Sequence, residues 1–135
     1  MERLFERESR RMINVGWAHG RYLDFWSIIH FLTGVILGAG ALLLNVPLLP
    51  LLIGIFLIAS VYEMGEVLAG IAEDLENVII DILIAVLGAF LTIHYLNGIS
   101  KVLIAYLLIG ALIGNLFLMR TGWHAYLKRK IKNKK

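Results

Sequence analysis

Glu63, Glu66 and Asp81 are carboxylates set inside segments that are otherwise apolar, and His30 is an imidazole inside another. Ionisable side chains are expensive to place in such segments, so residues of this kind mark functional sites by default. Three carboxylates and an imidazole are hard-to-borderline ligands that suit Zn²⁺, Mn²⁺ or Fe²⁺; without the histidine they would suit Mg²⁺ or Ca²⁺. Glu63 and Glu66 are spaced i, i+3, which lets one helix offer both to a metal shared with facing helices, as in carboxylate helix bundles. The Glu-x-x-His pairs of those bundles have no counterpart here. Asn77, four residues before Asp81, is a further ligand candidate, and capping its helix is the other role open to it. A bound cation would also balance carboxylate charge that a low-dielectric setting tolerates poorly.

The hydrophobic pattern supplies the elements that must position these groups. Of 135 residues, 59% are hydrophobic and 17% charged, against roughly half and a quarter in an ordinary soluble domain. The apolar residues also come in long blocks, so the fold class is an all-α membrane protein, a single four-transmembrane-helix bundle. Spans are expected over Phe25 to Leu44, Leu51 to Ala69, Asn77 to Leu96 and Val102 to Met119, each long enough for a bilayer core of roughly 30 Å. Asn45-Val-Pro-Leu-Leu-Pro50 reads as a turn, because proline cannot continue a helix ladder, and Asn97-Gly98 reads as another. Residues 1–24 mix cations, acids and aromatics and read as a short N-terminal interfacial amphipathic helix or a frayed end. They are too charged for a secretory signal. There is no cysteine, so disulfides and thiolate metal sites are excluded.

This topology brings the candidate residues to one layer. His30 lies roughly 9 Å past Asp24, Glu63 and Glu66 roughly 10 and 6 Å before Gly70, and Asp81 roughly 6 Å beyond Asn77. Spacing gives them a shared direction as well. His30, Gly34 and Gly38 share a face of the first span; Ala59, Glu63, Glu66 and Gly70 share one on the second; Asn77, Asp81, Ala85, Gly88 and Thr92 form a small, polar stripe on the third. Small residues let membrane helices approach closely, so Gly34-x-x-x-Gly38 and Gly110-x-x-x-Gly114 are expected to pack inside the bundle. Asn115 on the fourth span is expected to close it near the same depth.

Twelve of the thirteen Lys and Arg residues fall in the two terminal segments, five before the first span and seven from Arg120 onward, with Lys101 opposite. Cytoplasmic loops carry the Lys/Arg excess, so both termini are expected on the cytoplasmic side of the cell (inner) membrane. Trp17, Tyr22, Trp26, Trp123 and Tyr126 would form the inner aromatic belt, with Tyr95 near the outer one. The 120–135 stretch reads as a basic tail that anchors on anionic lipid headgroups; nucleic acid is not an expected partner. Glu73, Asp74 and Glu76 read as solvated charges near a helix N-terminus. His94 and His124 lie outside the polar layer.

The motif order Asp24-x5-His30-Phe31-x-x-Gly34, Tyr62-Glu63-x-x-Glu66 and Asn77-x3-Asp81-x6-Gly88-Ala89 resembles that of VanZ-like and YjdF-like small membrane proteins. The resemblance covers residues 24–92, and the Glu-x-x-Glu motif is closer to the YjdF-like pattern. Asn77 stands where that pattern usually has an aspartate, and Ala85 where VanZ-like proteins usually have an asparagine. The resemblance implies a helical membrane protein, with a link to glycopeptide resistance for some VanZ-like members, and implies no particular reaction.

Three function classes fit these residues. The first is a metal-dependent membrane enzyme acting on a lipid-linked or phosphorylated headgroup, with Glu63 and Glu66 catalytic and His30, Glu63, Glu66, Asp81 and Asn77 holding the metal. The second is a small ion-coupled transporter, for which homo-oligomerisation would enlarge the volume four helices enclose. The third is a non-catalytic membrane subunit whose acids only pin helices together. No serine nucleophile constellation and no phosphate-cradling Gly-rich loop is visible.

Overall fold

A computed structural model describes residues 12–69, 71 and 74–132. Four helices run in sequence: α1 (Phe25–Leu44), α2 (Leu48–Leu68), α3 (Leu75–Leu96) and α4 (Lys101–Lys132). All four are long and apolar enough to cross a membrane. The chain is therefore an all-α integral membrane protein by its helices.

Asp24 starts α1 by capping it. Its Oδ1 accepts from the backbone N–H groups of Trp26 (2.8 Å) and Ser27 (3.3 Å), and the Ser27 hydroxyl closes a capping box on the Asp24 N–H. Asn45 ends α1 in the left-handed region at φ 56°, a conformation that asparagine tolerates better than most residues. The second helix then begins at Leu48, three residues earlier than the prolines suggest. Pro47 stands at its N-cap and Pro50 in its first turn, where a backbone N–H has no helical partner to lose. α3 likewise begins two residues earlier than expected, after Asp74.

The fourth helix departs most from expectation. It continues to Lys132 instead of stopping at Met119, so most of the basic tail is helical. At 32 residues it is roughly 48 Å long, well beyond the bilayer core. Nothing in the sequence breaks it, since no proline follows Met119, and its extension has something to pack on. A Cβ on Gly122 would lie 2.7 Å from the Trp17 ring and 2.9 Å from that of Trp26.

Residues 12–24 are not the amphipathic helix that their composition suggests; residues 1–11 lie outside the described part. A backbone bridge joins Ile13 to Leu23, with Asn14 N–H donating to the Leu23 carbonyl at 2.9 Å. Gly16 and Gly20 disfavour a helix here. At Gly20 a Cβ would run into the Leu23 carbonyl, so the loop closes only around a glycine. Trp17, Trp26, Trp123 and Tyr126 pack against one another where the 12–24 loop meets the extension of α4. Trp26 touches Trp17 (5.5 Å between ring centroids) and Trp123 (6.3 Å), and is buried.

α1 is the hub of the bundle. It packs most extensively on α3 and then on α4, while α2 leans mainly on α3. The α1–α3 contact is close because it is built from small residues. A Cβ at Gly34 would strike the Ala85 carbonyl, and one at Gly88 the Phe31 carbonyl. Gly110 and Gly114 behave differently from expectation: open space surrounds both, so this pair makes no close helix contact within the chain. The outer surface of α4 is strongly apolar, with Ile113 65% and Phe117 66% exposed, as a lipid-facing helix requires.

Candidate metal centre

Three helices bring His30, Glu63 and Asp81 together. His30 Nε2 lies 3.3 Å from Glu63 Oε1 and 3.9 Å from Asp81 Oδ2. One ligand atom from each residue can be chosen so that all lie within 4.8 Å of one another. The two acidic side chains are 1% and 2% exposed and the imidazole 12%. Each arrives on the stripe that its spacing marks out. On α3 the buried residues include Asn77, Asp81, Ala85, Gly88 and Thr92; on α2 they are Ile55, Ala59 and Glu63. Glu63, Asn77 and Asp81 are the largest fully buried side chains among the described residues.

The donor set fits a divalent cation. Metal–ligand bonds of roughly 2.0–2.2 Å in a tetrahedral arrangement put ligand atoms about 3.4 Å apart, close to the spacing around His30. One imidazole and two carboxylates would supply three of the four ligands that a zinc ion takes. The mixed nitrogen and oxygen donors admit Zn²⁺, Mn²⁺ or Fe²⁺, and Mg²⁺ less readily because of the imidazole.

Glu66 is not one of the three grouped donors, and Asn77 makes a separate contact of its own. Glu66 is half-buried and accepts a 2.8 Å hydrogen bond from the Tyr62 hydroxyl. Tyr62 in turn packs edge-on against His30, with centroids 5.8 Å apart, so Glu66 sits at the rim of the centre. Three residues of helix at about 100° each leave Glu66 some 60° around from Glu63, enough to move it off the shared axis. Asn77 does not cap α3, whose N-cap is Asp74, and its Oδ1 is buried with no hydrogen-bond partner among the described residues. It lies in the first turn, fully buried, and its Nδ2 donates to the Tyr22 carbonyl at 3.2 Å. Asn115 joins α4 to α1 by donating to the Thr33 hydroxyl at 3.1 Å, one turn along α1 from His30.

Loop 12–24 covers the end of the bundle next to the centre, and three contacts hold it there. Asn77 takes Tyr22, the Arg129 guanidinium donates to the Trp17 carbonyl at 2.7 Å, and Arg21 pairs with Glu76 at 2.9 Å. The hydrogen bond to Glu76 holds the Arg21 guanidinium above its ordinary pKa. Glu76 is thus an ion-pair partner, not only a solvated charge. A second acid–imidazole pair lies in the same loop. His19, 5% exposed, places Nδ1 3.4 Å from Asp24 Oδ2 and stacks on Trp26. Sequence reasoning passed over His19 because a loop contact carries no periodicity. His94 and His124 take no part in the three-donor group.

No family model, no curated protein and no solved structure matches the chain. The resemblance to VanZ-like and YjdF-like proteins therefore rests on the residues quoted for it.

Proposed function

We propose that this membrane protein binds a divalent metal through His30, Glu63 and Asp81 and acts on a lipid-linked or phosphorylated headgroup at the inner leaflet. One observation carries the reading: two carboxylates and an imidazole from three helices converge in a buried setting where acidic charge needs a cation or a proton. A metal there would polarise a phosphoryl or ester oxygen. Glu66, outside the donor set and bonded to Tyr62, is the group left to act as base at the rim. Both termini face the cytoplasm, a reading supported by the Lys/Arg excess of the two terminal segments and by the contact of Arg129 with Trp17, which brings those segments to one end of the bundle. The basic segments then hold anionic headgroups.

Elemental analysis of detergent-purified protein, equilibrated with Zn²⁺ or Mn²⁺ and desalted, tests the centre. About one ion per wild-type chain and a loss of most of it in Glu63→Gln are expected. Metal content in Glu63→Gln equal to that of the wild type, or none in either, overturns the reading.

A further inference from the structure

A cavity of about 260 Å³ opens beside the centre, between α1 and α2. His30 and Tyr62 line its polar end, and Leu37, Ile55, Ile58 and Ala59 line the part that runs deeper into the bundle. Along α1 the lining extends from Trp26 to Leu37, roughly 16 Å at the helical rise. The space exists because α2 packs mainly on α3 and only sparsely on α1. Ile58, 63% exposed, stands at the side that faces lipid. Met119 of α4 closes the lining on a further side.

We infer that this cavity holds a single hydrocarbon chain of a phosphate-bearing lipid, whose headgroup meets the His30–Glu63–Asp81 centre while the chain lies along Leu37, Ile55 and Ala59. The inference rests on the headgroup reading of that centre and narrows it to a substrate anchored by its own tail. A slot of this volume and length suits one chain and is narrow for a larger ligand. Its mouth opens to the bilayer, so a lipid enters sideways without leaving the membrane.

The test uses the full chain in phosphatidylcholine nanodiscs with hexadecyl phosphate carrying a mid-chain diazirine. After illumination, mass spectrometry should place the label on Leu37, Ile55 and Ala59 ahead of Ile113 and Phe117 on the outer face of α4. Unlabelled hexadecyl phosphate should compete; methyl phosphate at the same concentration should not. Ala59→Phe fills the slot and should cut the groove label about tenfold, with metal content unchanged. Ile58→Trp, at an exposed position, blocks the mouth and serves the same purpose if Ala59→Phe does not fold. Equal labelling of the groove and the outer α4 residues overturns the inference, as does methyl phosphate competing equally well. Metal bound without groove labelling sinks the inference alone. Groove labelling without metal sustains chain binding and sinks only the metal reading.

Discussion

His30 Nε2 and Glu63 Oε1 lie 3.3 Å apart, joining α1 to α2 at a level where those two helices otherwise pack sparsely. A contact this short between largely buried groups should couple them energetically. In a double-mutant cycle of His30→Ala and Glu63→Gln, read by unfolding in detergent, a coupling of about 1–3 kcal/mol is expected. Additive effects would mean that the two side chains do not interact.

Asp81 supplies the third donor, 3.9 Å from the same nitrogen. A ligand that binds only the folded state stabilises it, by about 2.7 kcal/mol at a hundredfold excess over Kd. Added Zn²⁺ or Mn²⁺ should therefore raise the wild-type Tm by several degrees and leave that of Asp81→Asn unmoved. An equal rise in both proteins would place the ion elsewhere; a bundle whose acids are purely structural would show no rise in either.

Gly34 and Gly114 both lie in small-residue pairs, yet only Gly34 faces another backbone. Gly34→Ala must push α3 away at the Ala85 carbonyl and should cost about 1–3 kcal/mol. Gly114→Ala meets nothing and should be neutral or stabilise by up to about 1 kcal/mol, since alanine is the better helix former. Thermal unfolding in detergent compares the two. Equal tolerance at both positions would contradict the close α1–α3 contact.

These contrasts show what the residues reveal by themselves. The inward stripe of α3 is legible because Asn77, Asp81, Ala85, Gly88 and Thr92 repeat at helical spacing and all are small or polar. His30 and Glu63 are legible because an ionisable group in an apolar block has few places to go. Glu66 shares Glu63's segment, but spacing alone does not separate a residue at the centre from one at its rim. The end of α4 is hidden for another reason. Apolarity marks where lipid stops, whereas this helix continues by packing Gly122 on tryptophans far away in sequence.

Asn77 is a ligand candidate by spacing, and its amide nitrogen donates to the Tyr22 carbonyl. Asn77→Asp removes the donor and sets a carboxylate against a carbonyl, which should release loop 12–24 from α3. Loss of one buried hydrogen bond is worth about 1–3 kcal/mol, so trypsin should cut after Arg21 about tenfold faster or more. Metal content should stay at the wild-type level. Unchanged cleavage together with lost metal would return Asn77 to the ligand set.

The extension of α4 makes its own prediction through Gly122, Trp17 and Trp26. Both indole rings lie within van der Waals reach of a Cβ at position 122, and Arg129 holds the Trp17 carbonyl from one further part of the same helix. Gly122→Leu should pry the extension away from the aromatic cluster and expose Trp26, which is buried in the native fold. Tryptophan emission should then shift to longer wavelength, and amide exchange should quicken from position 122 onward while the membrane-spanning part of α4 stays protected. Arg129→Ala should produce the same change in smaller degree, because it removes a single hydrogen bond and leaves the ring contacts in place. Emission and exchange that match the wild type in Gly122→Leu would mean that the extension stands free of the loop, and loop 12–24 would then be held over the His30–Glu63–Asp81 group by Asn77 and Glu76 alone.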